Sequence, residues 1–235
     1  MEDMREKQVE RVSGAFSGVL GKQIKAAARA IRAGGSASAA VDGVDLGKTY
    51  RKEYQAVALL FAGENFNAIE SARKGFADAE VSTWAENVNE HLDKFSKKRI
   101  KLMNATTKDW IKRTMQAAID EGLSINQVAK RINEEWAGID AFRAERIART
   151  EIISASNYGS QQGAISTGLD LKKKWLATRD SRTRADHGGA DGQVRALDKP
   201  YNVGGDKLGF PGDYSLGASA DNLVNCRCTE IYEEA

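Results

Sequence analysis

Three residues near the C-terminus carry side chains that can bind a metal ion or act as a nucleophile and a base. Cys226 and Cys228 are the two cysteines of the chain, and His187 is one of its two histidines. Thiolates and imidazole bind zinc, but a closed structural zinc site needs four ligands and usually contains a C-x2-C pair. A fourth ligand would have to come from one of the nearby aspartates Asp180, Asp186 and Asp191.

The same three side chains have two further interpretations. A cysteine beside a histidine can form a nucleophile–base pair, with Glu151 as a further catalytic candidate. Alternatively, two buried cysteines act as small hydrophobic side chains beside a hydrogen-bonded histidine. We adopt the last interpretation and therefore expect no cofactor and a fold that survives chelation of metals. Since side chains two apart in a strand face the same way, both thiols should point inward.

Glu151, in the run Arg149-Thr150-Glu151, lies on a predicted apolar helix face. At about 100° per residue, it falls on the same side as Ile147, Ala148, Ala155 and Tyr158. A carboxylate there needs a cation or several hydrogen-bond donors, because an unpaired buried charge is costly. We predict that Glu151 forms a buried structural ion pair with Arg182 or Arg227 and is not a catalytic acid.

Two short basic runs could contact nucleic-acid phosphates. The first comprises Lys97, Lys98, Arg99 and Lys101, and the second comprises Lys172, Lys173 and Lys174. Clustered cations suffice for non-specific phosphate contact, which requires no recognition of bases. The chain carries 35 basic and 33 acidic residues, a net charge of +2. This small excess predicts weak DNA binding at most, and most such runs are solvated faces of a protein.

The elements that must position these residues begin with a helical region. Apolar residues recur at spacings of three and four from Glu2 to about Ala33, which predicts a long helix. Residues 37–47 are small and acidic, and they predict a linker. Shorter helices follow, with predicted boundaries at Gly63, Asp78, Thr106 and Gly122. One of these helices includes Phe76 on its apolar face.

The C-terminal part has a different composition. A short helix capped by Ser124 precedes a long helix from about Asp140 to Thr167. Strands are predicted at residues 172–178, 193–197 and 228–232, with glycine-rich loops between them. We therefore predict an α+β fold with a long helical region over residues 1–139. Residues 140–235 should form a small module of one long helix and a short antiparallel sheet with long loops.

The composition excludes several classes of protein. No run of about 18 apolar residues occurs, so we expect no membrane-spanning helix. The charged start Met1-Glu2-Asp3-Met4-Arg5 lacks the apolar segment of a secretory signal peptide. Two cysteines separated by one residue do not make a disulfide scaffold, and a reducing compartment is expected. A hydrophobic fraction of 41% is sufficient for a buried core.

An ordered set of short motifs in the C-terminal half resembles a known family. In chain order, the motifs are Arg149-Thr150-Glu151, Trp175, Asp180-Ser181-Arg182-Thr183, His187, Asp191-Gly192-Gln193, Val203-Gly204-Gly205-Asp206-Lys207-Leu208, Pro211-Gly212-Asp213 and Asn225-Cys226-Arg227-Cys228-Thr229. The set resembles the phage Mu F-like head morphogenesis domain, the minor head protein family of tailed phages. The resemblance covers about Asp140 to the C-terminus, and the helical region is similar only in general.

The resemblance implies a virion component present in few copies that enters the procapsid with the portal. It implies a role in head assembly or DNA ejection, with the portal or the major capsid protein as partner. It also implies a place in the head interior, reached from the host cytoplasm during assembly. Contact with packaged DNA would be non-specific, and no membrane is expected. Such domains also occur fused behind portal proteins or ahead of toxin domains. Few residues follow Cys228, so we expect no toxin domain, whereas a portal-derived fragment stays an alternative.

The resemblance is incomplete at the cysteines. Many family members carry Thr-Cys-x-x-Cys and His-Pro-x-Cys-Arg-Cys, which together resemble a metal site. Here Arg184 and His187 stand at the first cysteine pair, and Leu223-Val224 stands in place of His-Pro. The resemblance therefore does not supply a full set of metal ligands to this chain.

Three functions are alternatives at this point. The first is a non-enzymatic head protein whose amphipathic helices bury apolar faces against the portal or capsid. The second is a metal- or Cys/His-dependent hydrolase or nuclease, and the third is a non-specific DNA-binding virion protein. An enzyme would need a nucleophile and a base within about 2.6–3.2 Å of each other in a water-accessible cleft. Buried and structurally paired side chains would favour the first function.

Overall fold

The computed structural model of the protein describes residues 2–69 and 78–235, with the backbone alone for residues 78–80. The N-terminal helices are α1 (Glu2–Arg32), α2 (Ala37–Asp42), α3 (Leu46–Ile69), α4 (Asp78–Asp120) and α5 (Ile125–Ser166). The C-terminal elements are β1 (Leu171–Leu176), α6 (Ala185–Ala190), β2 (Val194–Ala196), β3 (Tyr201–Val203), β4 (Asp206–Leu208), α7 (Ala220–Leu223) and β5 (Thr229–Glu234). The predicted α+β class is confirmed. Phe76 lies outside the described residues.

The small sheet is antiparallel and has the strand order β2-β1-β5. Lys173 in the central strand pairs with Arg195 on one side and with Tyr232 on the other. Strands β3 and β4 form a separate hairpin that the sequence analysis missed. Its turn is Gly204-Gly205, where φ is +54° and +88°, values that glycine adopts without a steric penalty. Two adjacent glycines between short strands are a hairpin signal that could have located it.

Helix α5 is the centre of the fold, because α1 and α3 both pack along it. The crossing with α3 is close at two glycines on one face of α5. A Cβ atom at Gly159 would lie 2.0 Å from the carbonyl oxygen of Ala58, and one at Gly163 would lie 2.3 Å from that of Ala62. Since residues four apart share a helix face, the two glycines form a flat strip on which α3 rests.

Two apolar clusters hold these elements together. The larger cluster includes Phe16, Tyr50, Phe61, Ile152, Trp175 and Cys228. The second cluster lies between α1, α2, α4 and α5 and includes Leu20, Ile24, Val41, Ile111, Ile132 and Trp136. Because the larger cluster contains residues of both the helices and the C-terminal sheet, these two parts share one hydrophobic core.

Several predicted helix boundaries are wrong. Helix α4 continues past Thr106, and the hydroxyls of Thr106 and Thr107 donate to carbonyls four residues earlier in this helix, at 2.9 and 3.1 Å, instead of capping a new helix. Helix α3 continues past Gly63, which is buried within it. The packing of α3 on α5 outweighs the low helix propensity of this glycine.

The predicted linker and the predicted start of the long helix also differ from the structure. Residues 37–42 form α2, whose first turn is capped by Ser36 through a 3.2 Å bond from the amide of Ala39. Helix α5 begins at Ile125 and runs through residue 140 without a break. Over the described residues, no helix combines the length and the apolar character needed to cross a membrane.

Candidate functional site

Glu151 lies in a buried network that joins three helices and a loop. Its carboxylate pairs with Arg99 of α4 and accepts a 3.0 Å hydrogen bond from the hydroxyl of Tyr50 in α3. The hydroxyl of Tyr214, in the loop after β4, lies 2.9 Å from that of Tyr50. The guanidinium carbon of Arg99 stands 5.2 Å from the centre of the Tyr214 ring. These groups satisfy the buried charge from several sides.

The sequence analysis predicted the burial of Glu151 correctly but its partner wrongly. Glu151 is 3% exposed, and its cation is Arg99 instead of Arg182 or Arg227. Burial by itself would lower the pKa of Arg99, but the Glu151 carboxylate raises it above its ordinary value. Burial and the nearby Glu151 charge also raise the pKa of Tyr50. Arg99 therefore stays charged and Tyr50 stays neutral, as an ion pair with a hydroxyl donor requires.

The neighbours of Glu151 in the Arg149-Thr150-Glu151 motif have separate roles. Arg149 is exposed and pairs with Glu145 one turn earlier, at 2.5 Å. The hydroxyl of Thr150 accepts a 3.1 Å bond from the amide of Asn225, in the segment before β5. The motif thus places one side chain in solvent, one against the C-terminal segment and one in the core.

The loop after β1 is tied to the segment before β5 by an ion pair. Both carboxylate oxygens of Asp180 accept hydrogen bonds from Arg227, each 2.6 Å long. These bonds lower the pKa of Asp180 below its ordinary range. Arg182 adds a weaker contact of 3.5 Å to the same carboxylate, and its backbone amide donates to it at 2.9 Å. Thr183 donates from its hydroxyl to the carbonyl oxygen of Thr178. Arg227, one of the two cations predicted for Glu151, therefore pairs with Asp180 instead.

His187, Cys226 and Cys228 come together in the core. The nitrogen Nδ1 of His187 lies 3.3 Å from the sulfur of Cys228 and 3.6 Å from that of Cys226. All three side chains are buried, and their potential ligand atoms lie within 4.8 Å of one another. The predicted inward direction of both thiols is confirmed, although β5 begins only at Thr229. Trp175 closes the cluster, with its ring edge-on to the His187 ring at 5.9 Å.

The two thiols have different proton affinities. A hydrogen bond from Cys226, together with one from His187, lowers the pKa of Cys228 to about 5 against the opposing effect of burial. The bond with Cys228, together with burial, raises the pKa of Cys226 well above its ordinary value. Two thiols and one imidazole are also a donor set that zinc accepts, so these residues fit three positions of a zinc site by type and spacing.

Gly192 shapes the backbone beside this cluster. Its φ of +77° is in the region that favours glycine, and its amide donates to the carbonyl oxygen of Trp175 at 2.9 Å. The preceding carboxylate, Asp191, accepts a 2.9 Å bond from the amide of Ala177. These contacts hold the end of β1 against the turn before β2.

The basic runs are only partly available for contact with DNA. Arg99 is engaged with Glu151, and Lys173 is 1% exposed with its amine 2.5 Å from the carbonyl oxygen of Gly209. Lys174 lies 3.3 Å from Glu233. The remaining lysines of the two runs are exposed: Lys97, Lys98, Lys101 and Lys172. Burial thus removes two of the predicted phosphate contacts, because alternation in β1 turns Lys173 toward the core.

A second polar network, which the sequence analysis missed, centres on Asn157 of α5. Its side chain accepts a 2.8 Å bond from Arg5 and donates to the carbonyl oxygens of Pro211 and Cys228, at 3.0 and 3.2 Å. Arg5 also donates to Thr229, at 3.0 Å. The signal was the run Ser154-Ala155-Ser156-Asn157 inside a helix, since such polar residues are buried only when bonded.

These arrangements favour structural roles for the chemically capable residues. Glu151 and His187 belong to different networks, and each is buried and bonded to neighbouring side chains. The cavity beside Glu151 has a volume of about 10 Å³, which is room for a single water molecule. Over the described residues, the site lacks the water-accessible cleft that a nucleophile and base would need.

Comparisons with known proteins identify a family and relatives that are similar to part of the chain. The family described as "Phage Mu protein F like protein" matches residues 109–231, more than half of the chain. The chain is 31% identical over 123 residues to "Minor head protein GP7" of Bacillus phage SPP1, a region that is 49% of this chain and 38% of that protein.

A second relative has a different name. The chain is 40% identical over 114 residues to "NAD(+)--arginine ADP-ribosyltransferase EFV" of Enterococcus faecalis (strain ATCC 700802 / V583). This region is 47% of the chain and 23% of that protein. The chain thus spans well under half of either relative. No solved structure matches it.

Proposed function

Since the chain belongs to the phage Mu protein F-like family, we propose that it is a phage minor head protein that acts in head assembly by binding the portal or the major capsid protein. The observation that carries the proposal is the family match over residues 109–231. The matched region contains Glu151, the cysteine cluster and the sheet as far as Ile231, whereas the partners Tyr50 and Arg99 of Glu151 precede it. The named head protein of phage SPP1 is similar over 49% of the chain.

The state of the chemically capable residues supports an assembly role over hydrolysis. Glu151, His187 and both cysteines are buried and engaged with other side chains. Groups held in this way stabilise a fold and fix the relative positions of its elements. We do not extend the transferase activity named for the Enterococcus protein to this chain, because the matched region is 23% of that protein.

Exposed apolar side chains at the tip of the α4–α5 hairpin support a capsid-binding surface at that position. Ile119 and Ile125 flank the turn at Gly122 and are 55% and 59% exposed. Leu102 and Phe142 add further exposed apolar side chains along the same two helices, at 52% and 64%. Exposed apolar groups on long helices provide the contact that helix docking uses.

We place the protein inside the virion head, which it would enter from the host cytoplasm during assembly. Non-specific contact with packaged DNA through Lys97, Lys98 and Lys101 on α4 is compatible with this position. A role in DNA ejection would use the same location. The small net charge of +2 makes DNA a secondary partner compared with the capsid proteins.

Co-assembly with capsid proteins tests the proposal. The chain would be expressed together with the portal and major capsid proteins of the same phage, and procapsids would be separated on a gradient. We expect the wild-type chain to sediment with the procapsids. A variant with Ile119→Asp and Ile125→Asp should stay at the top of the gradient while keeping its helical circular dichroism spectrum.

Leu216→Asp is the matched control, because Leu216 is also 55% exposed but lies in a C-terminal loop. It should sediment like the wild type. If the wild-type chain stays at the top of the gradient and binds neither purified portal nor purified capsid protein, the proposed function is wrong.

A further inference from the structure

We propose that His187, Cys226 and Cys228 together bind one zinc ion, which ties helix α6 to the segment before β5. This site is separate from the capsid-binding surface and does not depend on the proposed function. From the sequence we expected a metal-free cluster, and the reason for the different proposal is the geometry that the fold gives to these three side chains.

The distances fit a tetrahedral zinc ion. Zinc binds sulfur at about 2.3 Å and imidazole nitrogen at about 2.0–2.1 Å, which sets sulfur and nitrogen about 3.6 Å apart around a tetrahedron. The observed separations from Nδ1 of His187 are 3.3 Å to Cys228 and 3.6 Å to Cys226. Both nitrogen–sulfur separations are therefore close to the edges of such a site, and all three ligand atoms lie within 4.8 Å of one another.

The direction of the His187 ring agrees with this role. Nδ1 faces both sulfurs, and among the described residues the opposite nitrogen, Nε2, has no hydrogen-bond partner. The polar contacts of this buried ring are thus concentrated at the atom that would bind the metal.

The backbone beside the cysteines directs a donor at one of the sulfurs. The amide of Cys228 points to the sulfur of Cys226 at 3.4 Å. Asn225, just before the pair, has a φ of +54°, a left-handed turn that brings both side chains to one side. Amides directed at sulfur stabilise thiolates, the form that binds metals.

A divalent ion is the charge that two sulfur ligands would need, because two thiolates alone in the core would be two uncompensated negative charges. One Zn²⁺ with two thiolates and a neutral imidazole forms a neutral group. Sulfur and imidazole ligands favour zinc over magnesium or calcium. Over the described residues no fourth histidine, cysteine or carboxylate joins the three, so a water molecule would complete the tetrahedron.

Metal analysis of the intact chain tests the proposal directly. The protein would be produced without a histidine tag in zinc-supplemented medium, and its metals would be measured by mass spectrometry. We expect about one zinc per chain, since a site with ligands in place holds its metal through purification. Replacement by Co²⁺ should give the visible bands of tetrahedral cobalt and a thiolate-to-cobalt charge-transfer band. Chelation should lower Tm, and added zinc should restore it.

Variants separate metal binding from packing. Cys226→Ser and His187→Gln should each lose the zinc, whereas His91→Gln should keep it, because His91 is also buried but lies outside the cluster. If the first two variants do not fold, the cobalt spectrum of the wild-type chain decides. A chain that purifies without zinc, shows no thiolate-to-cobalt band and keeps its Tm in chelator would overturn the proposal. Stoichiometric binding of a different metal in place of zinc would overturn it too.

Discussion

One carboxylate, that of Glu151, links the helices to the C-terminal loops. Its partners Tyr50 and Arg99 come from α3 and α4, and Tyr214 reaches the same network from the loop after β4. Each partner depends on the others, because removal of the carboxylate leaves the buried Arg99 without its counter-charge. Glu151 therefore contributes more to the stability of the fold by keeping its buried partners paired than through any one hydrogen bond.

Glu151→Ala should lower the free energy of unfolding by about 3–5 kcal/mol, the range for removing one partner of a buried ion pair. Chemical denaturation followed by circular dichroism measures this loss. Glu145→Ala is the matched control on the same helix, because its pair with Arg149 is solvent-exposed. It should change stability by at most about 0.5 kcal/mol. Equal effects of the two variants would contradict the structural role of the network.

His91 gives the stability a dependence on pH. Its ring stacks against Tyr54 and Tyr158, with centroids 5.8 and 4.3 Å away. Burial, with a smaller effect from Lys94, lowers its pKa from 6.5 to about 4. Between these values the unfolded chain binds the proton more readily than the folded one, so stability is complete above pH 6.5 and is lost as the pH falls.

The expected slope is at most about 1.4 kcal/mol per pH unit between pH 6.5 and 4. Denaturation of the wild type and of His91→Phe at a series of pH values measures it, since the difference between them cancels the contribution of the carboxylates. The wild type should lose more stability on acidification than the variant. Parallel pH profiles would show that His91 is not held in its neutral form.

The sequence predicted which residues are buried better than it predicted their partners. Glu151 and the two cysteines are inside as expected, because helical and extended periodicity assign them to an inward face. Arg99 could not be assigned to Glu151, since it lies 52 residues earlier within a basic run typical of a solvated surface. Long-range pairing of this kind depends on how whole helices pack.

At the scale of elements, the crossing of α3 and α5 depends on two glycines of α5, which have no side chain to separate the helices. Gly159→Ala and Gly163→Ala should each destabilise the protein by about 1–3 kcal/mol, because the new methyl group would meet the backbone of α3. Thermal unfolding measures the effect. Gly138→Ala, in the same helix with open space around it, should instead stabilise by up to about 1 kcal/mol.

If the Gly159→Ala or Gly163→Ala variant unfolds at the same temperature as the wild type, the close approach of α3 and α5 is wrong. The comparison within one helix is informative because all three glycines carry the same propensity penalty. Only the surroundings of the added methyl group differ between them.

Element types were predictable where periodicity extends over many residues, and boundaries were not. The prediction for α1 ends one residue from the observed helix, and the three strands of the main sheet lie at the predicted places. The boundaries at Gly63 and Thr106 were wrong because packing and bonds to earlier carbonyls override local signals. The β3–β4 hairpin was missed because its strands are only three residues long.

At the scale of the whole molecule, the helices and the sheet share their central element. The boundary predicted at residue 139 falls inside α5, and α1 and α3 pack along that helix. Arg5 near the N-terminus bonds to Thr229 of β5. Whether residues 140–235 also form a unit of their own stays a prediction for proteolysis to test.

Limited trypsin digestion distinguishes a C-terminal module that folds alone from one that needs the N-terminal helices. Since α1 covers α5 and contributes to the shared core, we expect the resistant product to retain α1 as well as the C-terminal strands. Intact mass measurement of the products identifies their ends. A lasting fragment that begins near residue 140 would show that the C-terminal module folds without the helices before it.

The central claim, that this chain is a minor protein of the phage head, is tested most directly by its location in purified phage particles. Particles would be treated with protease while intact and again after the heads are opened, and the peptides of this chain would be quantified by mass spectrometry. We predict that the chain is present in few copies, is protected in intact heads and is digested once they are opened. Its absence from the particles, or its digestion while the heads are intact, would contradict the account.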